Sequence, residues 1–363
     1  MRRNIFAVLF VFTLSMGALA DDRQAAAQRY LENYLEERGY ASVSAAAAYR
    51  GEIVFAGAAG FADIKGKIPA TPYTLYRIGS VSKVMTAIGV MQLVEAGELD
   101  LDRPVLDYMP GVSTHWDGIT TRHLLTHTSG IMHYGRGHPW NRYTEYENTS
   151  DVIRLFADEK LLFKPGQGQS YSTYGFALLQ ALAETITGQG FEAYLEAKVW
   201  QPAGMPTTMF DRFYQKPATR AKGYRPWAFG RLGSLKATDD NVSFKYAGGG
   251  ILSTPTEMVK LCQAFMGDEL VSAETRAEMM RQQAGRFGLA WNIVNTRDTG
   301  ELYRIFHSGE SQGFVANLNC YAKDGYAFAA VVNTWNNGSN VFRDPIEFFA
   351  ESFADIPRQP DFW

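Results

Sequence analysis

The 363-residue chain holds only two cysteines, Cys262 and Cys320. That number excludes a disulfide-built scaffold, although an oxidising compartment would permit one bridge. Cys262 falls in an apolar helical run and Cys320 in a strand-like run, so two buried free thiols are the reading taken from sequence. A basic excess is also missing. Lys and Arg number 35 against 38 Asp and Glu, a formal charge of −3. Nothing in that balance favours nucleic acid or an anionic membrane as a partner. Internal repeats and low-complexity linkers are absent. After the first twenty residues no apolar run is long enough to span a bilayer. The six histidines end at His307, so a triad that needs a later histidine is excluded.

Apolar content of 46% and aromatic content of 13% argue for a large packed core, in one large or two intermixed domains. Residues 1–20 read as a leader rather than as part of the fold. Arg2 and Arg3 precede an apolar stretch from Ile5 to Met16, and Ala18-Leu19-Ala20 is a small-x-small cleavage site. A membrane anchor is the competing reading, but the apolar run is short. The residue after Ala20 is Asp21 and not cysteine, which argues against a lipoprotein. The Arg-Arg pair alone is a weak sign of twin-Arg export. A mature protein in the periplasm or secreted from a bacterium, without a stable membrane anchor, is expected.

Residues 22–39 read as an amphipathic helix stopped by Gly39, and Ser42–Tyr49 with Ile53–Ala58 as a hairpin. Helical patterns follow over 84–96, 104–108, 120–126, 151–158, 175–187, 191–200, 255–265 and 273–281. Residues 131–149 form an aromatic loop with Tyr134, Trp140, Tyr143 and Tyr146. Residues 203–246 form an irregular excursion carrying Tyr224, Trp227 and Phe229. Both segments are expected to line a pocket. Strand patterns return over 288–294, 303–307, 313–321 and 327–332, before a closing helix over 344–353. Strands therefore sit at both ends and helices in the middle. The expected class is α/β (α+β): a central antiparallel sheet flanked by helices, from 21–75 and 245–363, with a mostly helical domain, 76–244, inserted.

Three short segments carry candidate chemistry. Ser80 lies at a helix start with Lys83 three residues on, so both share a face. A serine hydroxyl needs such a neighbour to become nucleophilic, and orphan N–H groups at a helix start suit a developing oxyanion. Tyr171 stands on a loop before the helix at Gly175, where a nearby cation would fit it for acid–base work. His307-Ser308-Gly309-Glu310 follows a strand and enters a glycine-containing turn, placing a histidine and a backbone amide within reach of substrate. Each segment alone is commoner as plain structure. Gly309-Glu310-Ser311-Gln312-Gly313 matches the nucleophile elbow, but a strand pattern follows where a helix is needed. His123 and His127 have metal-ligand spacing without a base between them or an evident third ligand, so they are read as structural.

Taken together and in order, Ser80-x-x-Lys83, Tyr171-Ser172-Thr173 and His307-Ser308-Gly309 resemble the three motifs of the serine β-lactamase-related family. That family includes class C β-lactamases, DD-peptidases, D-aminopeptidases and esterases with a β-lactamase fold. Arg122-His123-Leu124-Leu125-Thr126-His127-Thr128-Ser129-Gly130, Lys164-Pro165-Gly166 and Ala247-Gly248-Gly249-Gly250-Ile251-Leu252-Ser253-Thr254 also match its habits, and the resemblance covers roughly residues 25–355. It implies a β-lactamase/transpeptidase-like fold with the site between sheet and helical domain. It implies Ser80 as acylated nucleophile, Lys83 as its activator and Tyr171 as the proton shuttle. The backbone amides of Ser80 and Glu310 would form the oxyanion hole. Thr173, His307, Ser308 and Gly309 would bind substrate. No metal or organic cofactor is implied.

Two departures point the expected function toward a carboxylesterase. Thr173 replaces the usual Asn and lacks its NH2 donor, and His307 replaces the usual Lys and is largely neutral near pH 7. A D-amino-acid peptidase or DD-carboxypeptidase, a weak β-lactamase, and a non-catalytic penicillin-binding-like protein are the alternatives. The partner is a small-molecule ester or peptide; oligomeric state and the first proton acceptor, Lys83 or Tyr171, stay open.

Overall fold

The structure is a computed structural model that describes residues 5–110, 112, 114–135, 143–225, 235–296, 298–335 and 339–356, with backbone alone over 5–21 and at 114, 339 and 340. Trp140, Trp227, Phe229 and the side chains of the leader lie outside the described residues. Helix α1 (Ile5–Arg38) is followed by strands β1 (Ser42–Tyr49), β2 (Glu52–Asp63), β3 (Ile68–Pro69) and β4 (Tyr76–Arg77). Helices α2 (Ser82–Glu95), α3 (Thr121–Leu125), α4 (Thr149–Arg154), α5 (Tyr174–Thr187) and α6 (Phe191–Leu195) fill the middle. Short strands β5 (Met209–Phe210), β6 (Tyr224–Arg225) and β7 (Leu235–Lys236) lead to α7 (Tyr246–Gly249) and β8 (Ile251–Ser253). Helices α8 (Pro255–Met266) and α9 (Ala273–Met280) precede β9 (Asn292–Asn295), β10 (Leu302–Ser311), β11 (Phe314–Tyr321), β12 (Tyr326–Val332) and α10 (Arg343–Ala354). Among the described residues no helix is long and apolar enough to cross a membrane.

Both chain ends build one antiparallel sheet, in the order β3-β2-β1-β12-β11-β10-β9. Alternation divides its side chains. Ala45, Ala47, Phe328 and Ala330 face α1 and α10, whereas Ala46, Ala48, Ala327 and Ala329 face the helical side. The run Ala45–Ala48 reads as continuously apolar because both faces are covered. Alanine on both faces also lets helices pack close.

Two expectations need correction. The cysteines are bonded: Cys262 on α8 and Cys320 on β11 form a disulfide with Cα atoms 5.7 Å apart. Their separation of 58 residues hid this, because only the packing of α8 on the sheet brings the two Cβ atoms together. Second, the strand carrying His307 does not end there. Gly309 and Glu310 lie inside β10, and the turn falls at Gln312-Gly313, where Gly313 has φ +80°. The described part of the 203–246 excursion is tied down by charge. Arg77 on β4 and Arg220 both bond the buried Asp211, and Asp239 accepts from Arg220 at 2.9 Å. Burial of Asp211 opposes its ionisation, but the two guanidiniums outweigh that and hold its carboxyl below the usual range.

Candidate active site

The sheet meets the helices where β10 passes the start of α2. Pairing with β9 covers only Leu302–Phe306, so His307–Ser311 has an open outer edge. The turn Gly79–Val81 packs against that edge. Two glycines make the approach possible. A Cβ on Gly309 would lie 1.9 Å from the Ile78 carbonyl oxygen and 3.0 Å from Ser80 N. A Cβ on Gly79, whose φ is +52°, would lie 2.6 Å from Glu310 N. The amides of Ser80 and Glu310 thus flank one narrow gap. Ser82 braces the turn: its hydroxyl donates to the Gly79 carbonyl at 2.7 Å and accepts from Ile251 N–H at 3.3 Å.

Ser80 occupies a 3-10 turn rather than a capped helix start, and α2 begins two residues later without a side-chain cap. The turn continues into the helix, so Lys83 still reaches back to Ser80. Its side chain is fully buried. Nζ lies 3.2 Å from Ser80 Oγ and 3.0 Å from Thr173 Oγ1, and also donates to the Gly248 carbonyl. Among the described residues no carboxylate pairs with it. Burial, reinforced by the charge of Lys245, pushes its pKa well below the ordinary value. In its neutral form it would have two N–H groups for Thr173 and Gly248 and a lone pair for the Ser80 hydroxyl. That arrangement can accept the Ser80 proton.

Tyr171 precedes α5 and is half-buried. Lys83 Nζ lies 4.8 Å from its ring centroid, and its hydroxyl hydrogen-bonds Ser80. Burial raises its pKa, which the Ser80 bond offsets only in part. The group is therefore a neutral phenol, able to donate to a leaving oxygen. Ser172 and Thr173 are each held by a histidine: Ser172 N–H donates to His127 Nδ1 at 3.2 Å, and Thr173 N–H to His133 Nδ1 at 3.2 Å. The His127 ring packs 4.3 Å from the Tyr171 ring, and the His133 ring 5.7 Å. The sequence reading took His127 as structural, which holds, but did not foresee that it and His133 brace the Tyr171 segment. His123 instead closes a capping box with Thr120 at α3.

Thr173 is buried, and its hydroxyl is turned to Lys83 rather than to open space. His307 is 3% exposed, and its Nδ1 donates to the Ser308 carbonyl at 2.6 Å. Nε2 is then the bare lone pair, with no partner among the described residues. Burial, with Lys83 adding, pushes the imidazole down to about 3, so it is neutral. Ser311 ends β10 and is followed by β11, not a helix, so no elbow forms around it. Lys245 and Gly248 are further site residues that the sequence reading did not single out, although Gly248 lies inside a quoted segment.

The family model for Beta-lactamase matches residues 27–350. The human serine beta-lactamase-like protein LACTB, mitochondrial, is 26% identical over 361 residues, covering 74% of this chain and 65% of that protein. The chain thus spans just under two thirds of that relative's length. Esterase EstB of Burkholderia gladioli is 34% identical over 209 residues, covering 53% of this chain and 52% of EstB. The crystal structure of a penicillin binding protein from Bacillus halodurans superposes with a TM-score of 0.75 at 27% identity, covering 87% of this chain and 98% of that one.

Proposed function

The chain belongs to the beta-lactamase family, and we propose that it is a serine hydrolase working through an acyl-enzyme on Ser80, with carboxylic esters as its preferred substrates. One observation carries the reading. A fully buried lysine without a carboxylate partner sits 3.2 Å from the serine hydroxyl. Neutral Lys83 takes the Ser80 proton, and Oγ attacks the ester carbonyl. The amides of Ser80 and Glu310 stabilise the oxyanion. Tyr171 gives its hydroxyl proton to the departing alkoxide and is reprotonated from Lys83. Water then opens the acyl-enzyme by the reverse relay. Because burial raises Tyr171 and lowers Lys83, Lys83 is the first proton acceptor.

The ester preference rests on what the surround withholds. Thr173 has no amide, and its hydroxyl already serves Lys83. His307 is neutral and offers no cation to a substrate carboxylate at that strand. Both features support weak holding of penicillin-like or D-alanyl substrates. The similarity to EstB supports the same reading. Similarity to the Bacillus halodurans penicillin binding protein supports the second reading, a penicillin-binding-like protein acting on cell-wall peptides. The Cys262–Cys320 bridge fits export to an oxidising compartment, with cleavage after Ala20.

Turnover of an ester panel, a D-alanyl peptide and a cephalosporin by the mature protein decides between them. Esters are expected to win by kcat/KM; faster peptide turnover reverses the order. Fluorophosphonate labelling that disappears in Ser80→Ala is expected. Absence of labelling in the wild type would leave a non-catalytic binding protein.

A further inference from the structure

A second buried lysine stands at the site; its charge helps to lower Lys83, but it carries no proton in the steps above. Lys245 ends the turn Ser243–Lys245 before α7 and is 8% exposed. Its Nζ donates to the Tyr134 hydroxyl at 3.2 Å and lies 5.2 Å from the Tyr134 ring and 5.6 Å from the Phe244 ring. Among the described residues no carboxylate pairs with it. A buried ammonium ordinarily requires an anion or several acceptors. This one has a single hydroxyl and two aromatic faces. Its stem runs beside the nucleophile turn: a Cβ on Gly249 would lie 3.6 Å from Lys245 Cδ and 3.7 Å from the Gly79 carbonyl carbon.

Lys245 lines a cavity of about 170 Å³, together with Tyr134, Asn241, Glu310, Gln312, Trp335 and others. The cavity follows β10 beyond Glu310, at the opposite end of the open edge from His307. Tyr171 and His307 pack together at that other end, their rings 6.5 Å apart. A leaving oxygen facing Tyr171 therefore directs the acyl arm toward this cavity. Two carboxylates also border it. Glu310 is exposed, with Oε2 accepting from Trp335 Nε1 at 3.3 Å. Asp240 is 5% exposed, and its backbone carbonyl accepts from Arg77 Nη2 at 2.7 Å. Lys245 is the cation in the lining that lacks a carboxylate.

Building on the esterase reading, we propose that this cavity takes the acyl arm of the substrate and that Lys245, with the Tyr134 hydroxyl, holds a carboxylate at the end of that arm. The substrate class is then the half-esters of short dicarboxylic acids. Recognition of anionic substrate has moved from the usual strand position, where His307 is neutral, to the turn before α7.

The test is kcat/KM of the mature protein on p-nitrophenyl esters with a neutral arm (butyrate), an anionic arm (the glutarate half-ester) and a cationic arm (4-aminobutyrate). The half-ester is expected to exceed the butyrate by at least about tenfold, the scale of one charge-assisted hydrogen bond. Lys245→Met should lower that ratio by about tenfold or more, and Lys245→Arg should restore most of it. A purely structural role would depress both esters alike and leave the ratio unmoved, which overturns the proposal. Preference for the cationic arm overturns it too, assigning the cavity to Asp240 and Glu310. If Lys245→Met does not fold, the wild-type preference must still shrink as salt rises; a salt-independent ratio overturns the proposal. Turnover of the butyrate without any anionic preference sinks this inference alone. Failure to hydrolyse any ester, with peptide turnover intact, sinks the esterase reading beneath it.

Discussion

Replacing Gly309 by alanine tests the meeting of β10 with the Ser80 turn. The added Cβ would fall 1.9 Å from the Ile78 carbonyl oxygen. An ordinary carbon–oxygen contact is about 3.3 Å, so the strand and the turn must part by roughly 1.4 Å. The obstacle is backbone, which cannot rotate aside as a side chain would. Such a displacement pulls the Glu310 amide away from the Ser80 amide, and a 1 Å misplacement at a reacting centre costs about a hundredfold in rate. Gly309→Ala should therefore lower kcat for ester hydrolysis by about a hundredfold. Single-turnover acylation read by p-nitrophenol release is the assay, with a thermal melt to confirm folding. Gly190→Ala is the control, since nothing lies within 4 Å of its added Cβ, and it should retain activity. Near-normal acylation in folded Gly309→Ala would show that the two amides do not form the oxyanion hole.

Lys83→Met and Tyr171→Phe should each lower acylation by at least about a hundredfold, the scale of a general acid–base group; retention within a few-fold removes the group from the relay. Ser80→Ala should abolish turnover, whereas Ser311→Ala should keep most of it; the reverse would restore the elbow. Acid should unfold the protein through its buried imidazoles. Burial lowers His133 to about 4 and His307 to about 3. The unfolded chain takes up these protons near pH 6.5, before the fold does, so this stability is complete above pH 6.5 and lost as pH falls toward those values. At pH 5 the loss is about 2 kcal/mol for each histidine, seen as a lower urea midpoint than at pH 7.5; equal midpoints refute neutral burial. Reducing the Cys262–Cys320 bridge, which spans 58 residues, should destabilise by roughly 4 kcal/mol on the chain-entropy account, measured by denaturant melts with and without reductant.

Much of this was legible beforehand because it is local. Two-residue alternation and helical spacing are properties of short windows, and they placed β1, β2, β11, β12 and most helices. Thr120 caps α3 through a residue three positions on, a spacing that a short window contains. The order of Ser80, Lys83, Tyr171 and His307 along the chain pointed to the family, and the family model agrees. Where β10 ends was misjudged because glycine reads as a turn signal. Gly309 serves another need, the close passage of a second backbone, which no window around it contains.

The sequence by itself determined the sheet built from both ends, the candidate side chains, and the departures Thr173 and His307, since each is an identity or a pattern along the chain. Tertiary structure alone decided what those side chains face. Lys83 meets Thr173 and Gly248 across 90 and 165 residues. The cysteines meet through helix-on-sheet packing. His127 and His133 enclose Tyr171, and Lys245 is left without an anion beside the nucleophile turn. Hydrogen bonding and desolvation act over a few ångströms in space. Chain order does not encode that proximity until the fold brings distant segments together.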